Sequence, residues 1–338
     1  MFAARTFVYR SFAQRLAMSS ICTHSGSFHA DESLACALLR KTDRFAGAEV
    51  RRSRDPEVWA QCDILVDVGA EYDISNSKFD HHQRGFEETF DTEHSTKLSS
   101  AGLIYKHFGR EILQKMTGYE GEQLKLLFQK MYDSFIEEMD AIDNGISRYE
   151  THSEPRYSTA GTDLAARVSK LNPRWNEEGV DVDARFKQAM ALCESEFDEA
   201  VDYYVKSWFP AKQIVVDAMN TREQVHPSGS IVLLKQFCPW KGHLHSLEGQ
   251  MALGEQIKYV LYPDTSGKFR VQAVAKEKGS FESRLALPEP WRGIRGDALS
   301  QLTGIEGCIF VHASGFIGGN DTKEGALAMA SKALAMLQ

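Results

Sequence analysis

The sequence predicts an α/β protein of two lobes, an N-terminal domain built on a parallel sheet and a smaller C-terminal α/β domain. Three observations predict it. Short apolar runs alternate with helix-period stretches through the first 150 residues, as in β/α units. A hairpin signal, Lys258–Tyr262 and Phe269–Val274 across Asp264-Thr265-Ser266-Gly267, marks an antiparallel component near the C-terminus. The length of 338 residues suits more than one domain, at a usual size of about 150 residues each. The expected boundaries are a targeting segment over 1–20, a first domain over 21–150, a helical connector over 151–228 and a second domain over 229–338.

The balance of 43% apolar and 25% charged residues is that of a globular chain. No run approaches the ~18 apolar residues that a membrane span needs, so no membrane partner is expected. Six cysteines stand scattered without a C-x-x-C pair, which argues for a reducing compartment and against a disulfide framework. A net charge of −8 does not suggest a protein that grips long nucleic acid by bulk electrostatics. The charge is uneven: from Lys235 onward there are 12 basic against 10 acidic residues. An anionic partner is therefore expected on the C-terminal part, and cations on the acidic remainder.

Residues 1–20 carry Arg5, Arg10 and Arg15 and no acid, and the first carboxylate in the chain is Asp31. That is the composition of a mitochondrial transit peptide, which points to the mitochondrial matrix. A start at Met18 would yield a form lacking this segment, left to the nucleus or cytoplasm.

Ser20–Thr23 reads as a buried strand with His24 at its carboxyl end. After a short loop, His29-Ala30-Asp31-Glu32 opens a helix with Leu34, Ala35, Ala37, Leu38 and Leu39 as its apolar positions. Asp55-Pro56 caps and starts another helix. Asp63–Gly69 is a run of β-formers with Asp67 at its end, where a carboxylate needs a cation or a hydrogen-bond partner. Phe79-Asp80-His81-His82-Gln83-Arg84 reads as the next strand. In extended backbone the rings of His81 and His82 point to opposite faces, which argues against both serving one ion. Ser99 is the expected cap of a helix that stops at Gly109. Leu124, Leu127, Phe128, Met131, Phe135, Met139 and Ile142 form a 3.6-residue stripe that reads as core. Asp140 and Asp143 share a face, and Asp143 stands at the terminus before Asn144-Gly145.

His24, His29, Asp31, Asp67, Asp80, His81, His82 and Asp143 thus occupy element ends, where open α/β sheets bind ligands. Imidazole and carboxylate without thiolate favour Mn2+ or Mg2+. The ligands exceed what one ion needs, so two ions about 3.5–4 Å apart are expected.

In the C-terminal part, Asp183–Trp208 reads as a long helix and Ile231–Leu234 as a strand. After the strand Cys308–Val311, the stretch His312-Ala313-Ser314-Gly315-Phe316-Ile317-Gly318-Gly319 reads as a glycine-rich loop before a helix starting near Thr322. Such a loop either brings backbone N–H groups close to an anion or is an ordinary turn.

The order His24…His29-x-Asp31, Val66-Asp67, Asp80-His81-His82, Asp143 resembles the DHH phosphoesterase superfamily. A closer likeness covers nearly the whole chain after Ser20. Thr23-His24-Ser25-Gly26-Ser27-Phe28-His29-Ala30-Asp31-Glu32, Phe79-Asp80-His81-His82, Leu171-Asn172-Pro173-Arg174-Trp175 and Phe310–Gly319 resemble the Myg family of 3′–5′ RNA exonucleases. The resemblance implies a DHH-like N-terminal domain, a cleft between lobes, single-stranded RNA as partner and nucleoside 5′-monophosphates as products. It implies one metal on His24, His29 and Asp67, and a second on Asp31, Asp67, His81 and Asp143. Catalysis would rest on Asp67, Asp80, His81 and His82, with His82 facing the phosphate. His312, Ser314, Gly315, Gly318 and Gly319 would hold the RNA end, with Lys235, Lys241 and Arg270 as lesser contacts. The superfamily usually has Asp where this chain has His29, which removes a negative charge from the first metal site. A hydrolase of pyrophosphate or dinucleotides and a non-catalytic RNA-binding protein are the alternatives.

Overall fold

The computed structural model describes residues 19–149, 161–277 and 279–337. Residues 1–18 of the expected targeting segment, and the polar stretch 150–155 expected to hold a boundary, lie outside the described residues. The chain forms two compact units, one ending at Val201 and the other beginning at Asp202. The helices of the expected connector are shared between them.

The first unit starts with β1 (Ser20–Thr23), α1 (Ala30–Lys41), β2 (Glu49–Arg52), α2 (Pro56–Trp59), β3 (Ile64–Val66), β4 (Tyr72–Asp73) and β5 (Lys78–Phe79). The sheet order is β2-β1-β3-β5-β4, parallel except for β4 at one edge. β1 and β3 are buried throughout because neighbours cover both faces, so they read as continuous apolar runs. β2 was not legible: Glu-Val-Arg-Arg at a partly exposed edge has no apolar pattern. Asp55 caps α2 by accepting the Glu57 N–H at 2.9 Å.

Next come α3 (Ser100–Thr117), α4 (Gly121–Met131), α5 (Glu137–Asp143), α6 (Leu164–Ser169) and α7 (Val182–Tyr203). α1 packs along α3 and is buried at every position from Ala30 to Leu39. The helix expected to stop at Gly109 runs on to a left-handed cap at Gly118. Gly109 serves packing: a Cβ there would stand 2.8 Å from the Tyr105 ring and 2.9 Å from Phe128. A second correction concerns the stripe over 122–142. A π-helical turn at Tyr132–Ile136 joins α4 to α5 and inserts one residue into the repeat. From its last residue onward Ile136, Met139 and Asp140 are buried, whereas Ile142 is 44% exposed.

The second unit contains α8 (Phe209–Asn220), α9 (Arg222–Val225), β6 (Ile231–Leu233), α10 (Lys241–Gln250), β7 (Tyr259–Pro263), β8 (Phe269–Ala273), α11 (Gly296–Thr303), β9 (Cys308–Val311), β10 (Ile317–Asn320) and α12 (Lys323–Leu337). Its sheet order is β6-β7-β8-β10-β9, with β6 parallel to β7 and the rest antiparallel. Alternation along β7 feeds two cores: Tyr259 and Leu261 pack with Met329 and Ala330 of α12, Val260 and Tyr262 with Val215 and Leu244. Among the described residues no helix is long and apolar enough to cross a membrane.

Candidate metal centre

Asp67 is the convergence point of the first unit. It follows β3 directly and adopts a φ of +53°, a strained conformation for a residue with a side chain. Its N–H still pairs with the Phe79 carbonyl at 3.1 Å, which ties the turn to β5. The turned carboxylate meets three imidazoles: His24 Nε2 at 3.4 Å, His82 Nδ1 at 3.3 Å and His81 Nε2 at 3.6 Å. Ser100 Oγ donates to the same carboxylate at 3.2 Å.

Each neighbour is placed by its element. His24 stands at the carboxyl end of β1, with Nε2 3.0 Å from Glu32 Oε1. Asp31, in the first turn of α1, accepts the Ser100 and Ala101 N–H groups at 3.2 and 2.6 Å. These are donors that the first turn of α3 leaves unused. Asp143 ends α5 with Oδ2 3.1 Å from His81 Nε2. Asp80 accepts the Ala70 N–H at 2.6 Å and lies 2.8 Å from His82 Nδ1. Asp80 therefore orients His82 rather than joining the ligand groups.

Among the described residues three groups have metal-ligand spacing: His24, His29 and Glu32; Asp67, His81 and His82; Asp31, His81 and Asp143, the last two sharing His81. The expectation that His81 and His82 point apart is corrected. β5 ends at Phe79, so Asp80–His82 are no longer extended strand, and both rings face Asp67 with centroids 4.3 Å apart. His29 is the N-cap residue of α1, its ring 6.0 Å from that of His24.

Sequence reasoning missed Glu32, Ser100, Asp140 and Arg54. Glu32 is fully buried and also accepts the His29 N–H at 2.9 Å. An acid three residues after a cap was the available signal. Asp140 is fully buried, accepting Ser99 N–H at 2.9 Å, Ser99 Oγ–H at 2.7 Å and Tyr132 O–H at 3.0 Å. It thereby joins α5, which carries Asp143, to the turn of α3 that holds Asp31 and Asp67. Arg54 Nη2 lies 3.3 Å from His24 Nδ1.

The electrostatics are those of an acidic site balanced by imidazoles. Burial disfavours the charged ring of His24, but Asp67 and Glu32 outweigh it and raise the pKa to about 10. His81 is likewise raised to about 10 against burial, by Asp143 and Asp67. His82 reaches about 10 through Asp67 and Asp80. Asp67 is held well below the carboxylate range: its three imidazole partners overcome its burial. Burial, with Asp67 and Asp143 nearby, drives Asp31 upward. Three carboxylates this close require positive charge among them.

The donor set fits divalent cations. Neither ring nitrogen of buried His81 has an aligned hydrogen bond, although Nε2 stands close to Asp143 and Asp67. Donors that converge at these distances without bonding one another could hold a cation between them. His24, His29, Asp31, Asp67, His82 and Asp143 line a cavity of about 1090 Å3 within the first unit.

A family model described as MYG1_exonuc, uncharacterised protein family UPF0160, matches residues 20–334. The chain belongs to the MYG1 family. It is 52% identical to the human "MYG1 exonuclease", over 96% of this chain and 88% of the relative. It is 51% identical to the Dictyostelium discoideum "MYG1 protein", over 93% of this chain and 96% of the relative. The mouse "MYG1 exonuclease" is 51% identical, over 95% of this chain and 86% of its own length. The candidate metal centre of this MYG1-family chain therefore lies wholly within the matched region.

The second unit holds the remaining candidates. The stretch expected as one glycine-rich loop is a hairpin: Gly318 and Gly319 sit buried in β10, paired with β8 and β9. A Cβ at Gly319 would stand 2.4 Å from Arg270 Nη1, so glycine leaves room for that guanidinium. Arg270 also pairs with Asp264 and lies over the Phe310 ring, 5.4 Å from its centroid. His312 and Ser314 are exposed at the hairpin tip, joined Nδ1 to Oγ at 2.9 Å. Gly315 turns the tip with φ +74°, and a Cβ there would meet Arg292 Nε at 2.6 Å. Lys235 follows β6 and Lys241 opens α10; both are exposed.

Proposed function

We propose that this chain is a metal-dependent phosphodiesterase, a 3′–5′ exoribonuclease that releases nucleoside 5′-monophosphates from single-stranded RNA. The convergence of His24, His81 and His82 on Asp67, with Asp31 and Asp143 alongside, carries this reading. Relatives over half identical and named exonucleases support the nuclease class. His24, His29, Glu32 and Asp67 would hold one Mn2+ or Mg2+, and Asp31, Asp67, His81 and Asp143 a second. Bound there, such ions neutralise phosphoryl charge and activate water.

The protein's own groups do the rest. The α3 N-terminus fixes Asp31 and Ser100 fixes Asp67, so the ligand geometry is set before substrate arrives. His82 is held through Nδ1 by Asp80 and Asp67, while its side chain is 62% exposed. Anchored there, the exposed ring is placed to contact a phosphoryl oxygen or the leaving 3′-oxygen. In the second unit His312 and Ser314 would contact the terminal nucleotide, with Arg270, Lys235 and Lys241 as further anion contacts. The basic, acid-free segment ahead of Ser20 supports import into the mitochondrial matrix, and a Met18 start a nuclear or cytoplasmic form.

The test is degradation of 5′-labelled single-stranded RNA with Mn2+, Mg2+ or EDTA by the native chain and Asp67→Ala. The expected result is a ladder shortening from the 3′ end, dependent on metal and lost in Asp67→Ala. No shortening with either metal sinks the RNA reading. The net charge of −8 favours small phosphates as the second reading, and cleavage confined to pyrophosphate or dinucleotides would establish it.

A further inference from the structure

We propose that the apolar wall of the metal-centre cavity is a nucleobase subsite, which seats a planar heterocycle beside the reacting phosphate. This rests on the phosphodiesterase reading above and adds the part of the substrate that the site recognises. A cavity of about 1090 Å3 exceeds what a phosphate requires, since sites of about 300–1,000 Å3 enclose drug-sized ligands. Besides the ligand side chains, its lining includes Trp59, Val68, Met139, Ile142, Ala165 and Ala166.

The chain places that wall against the ions' ligands. Val68 follows Asp67 and Ile142 precedes Asp143, so an apolar body resting on them lies next to the phosphate position. Ile142 is 44% exposed in this wall. The π-helical turn rotated it off the core stripe, and a ligand face would cover it. The indole N–H of Trp59 donates to the Ser53 carbonyl at 2.9 Å, which fixes the ring and leaves its faces apolar. Asp163 caps α6 by accepting the Ala166 N–H at 2.8 Å, and the small Ala165 and Ala166 leave room for a ring. None of the six offers a polar side chain except that engaged indole N–H. The subsite therefore takes any base by stacking and apolar contact, which suits an enzyme that removes every nucleotide in turn.

The test is equilibrium binding of adenosine 5′-monophosphate and ribose 5-phosphate to the full-length, Mn2+-loaded chain by calorimetry. The native chain should bind the nucleotide about 10–100-fold more tightly than the sugar phosphate, as expected for one stacked base. Trp59→Ala should abolish most of that difference and leave ribose 5-phosphate affinity within about twofold. Trp59 also packs against Val68 and Leu65, so Ala166→Phe, which fills the cavity and leaves that core intact, is the second variant. It should weaken the nucleotide alone. Equal affinity of the native chain for both ligands, no measurable binding of either, or an equal loss for both in Ala166→Phe overturns the subsite. Failure of the phosphodiesterase reading shows separately, as undegraded RNA with intact nucleotide preference.

Discussion

Gly102→Ala is ordinarily a stabilising change within a helix, worth about 1 kcal/mol through propensity. In this chain it should be damaging. A Cβ on Gly102 would stand 2.2 Å from Asp140 Oδ1, 2.5 Å from Oδ2 and 2.6 Å from Cγ. The carboxyl cannot step aside without leaving Ser99 N–H, Ser99 Oγ and Tyr132 O–H, all in a fully buried setting. Overpacking costs about 1–3 kcal/mol. Each donor left without its acceptor costs about 1–3 kcal/mol more, though the two hydroxyls rotate to soften this. Against a propensity gain of about 1 kcal/mol, the net loss is about 2–4 kcal/mol. The same turn of α3 holds Asp31 and Asp67, so Mn2+ affinity should fall about 10–100-fold as well. Urea unfolding of native, Gly102→Ala, Asp140→Ala and the double variant closes a cycle. With Asp140 already truncated, the added methyl should be neutral or mildly stabilising. If Gly102→Ala instead stabilises the native chain by about 1 kcal/mol, the packing argument is wrong.

Burial raises Asp140 to about 7 despite its donors. The folded state then holds a proton that the unfolded state has released, so this group lowers stability as pH rises from about 4 to 7. Asp140→Asn should flatten that part of the stability profile, and an unchanged slope in urea unfolding refutes it. His24, His81 and His82, at about 10 in the metal-free chain, contribute stability present below about 6.5 and lost as pH rises through 10. Mn2+ loading must displace imidazole protons, so affinity should rise with pH and calorimetric heats should differ between buffers of unlike ionisation heat. Buffer-independent heats would contradict it. Asn172 accepts the Phe28 N–H at 2.9 Å and donates to the Phe28 carbonyl at 2.8 Å, clamping the loop between His24 and His29. Asn172→Ala should destabilise the chain by about 1–3 kcal/mol and speed amide exchange at Phe28; exchange at the native rate would show the clamp to be idle.

Much of the candidate metal centre was legible because its residues stand at the ends of locally patterned elements. His24 closes an apolar strand, Asp31 lies in the first turn of an amphipathic helix, Asp67 closes Ile64–Val66 and Asp143 precedes a helix stop. Such placement follows from period and capping, which neighbouring residues determine by themselves. The hairpin of β7 and β8 was legible for the same reason.

Other features depended on approach between distant segments. Gly109 and Gly102 look like helix breakers in the chain, yet each makes room for a side chain from the α4–α5 segment. The π-helical turn adds one residue that no 3.6-residue count reveals, and so exposes Ile142 while burying Asp140. Gly318 and Gly319 became strand because β8 and β9 supply partners on both sides. His81 and His82 face one carboxylate because the strand ends before them and Asp67 turns back through a left-handed φ. Local sequence determined which chemical groups this protein carries and near which element ends they stand. Tertiary packing decided which of them meet, because contact depends on volumes and pairings contributed by residues far along the chain.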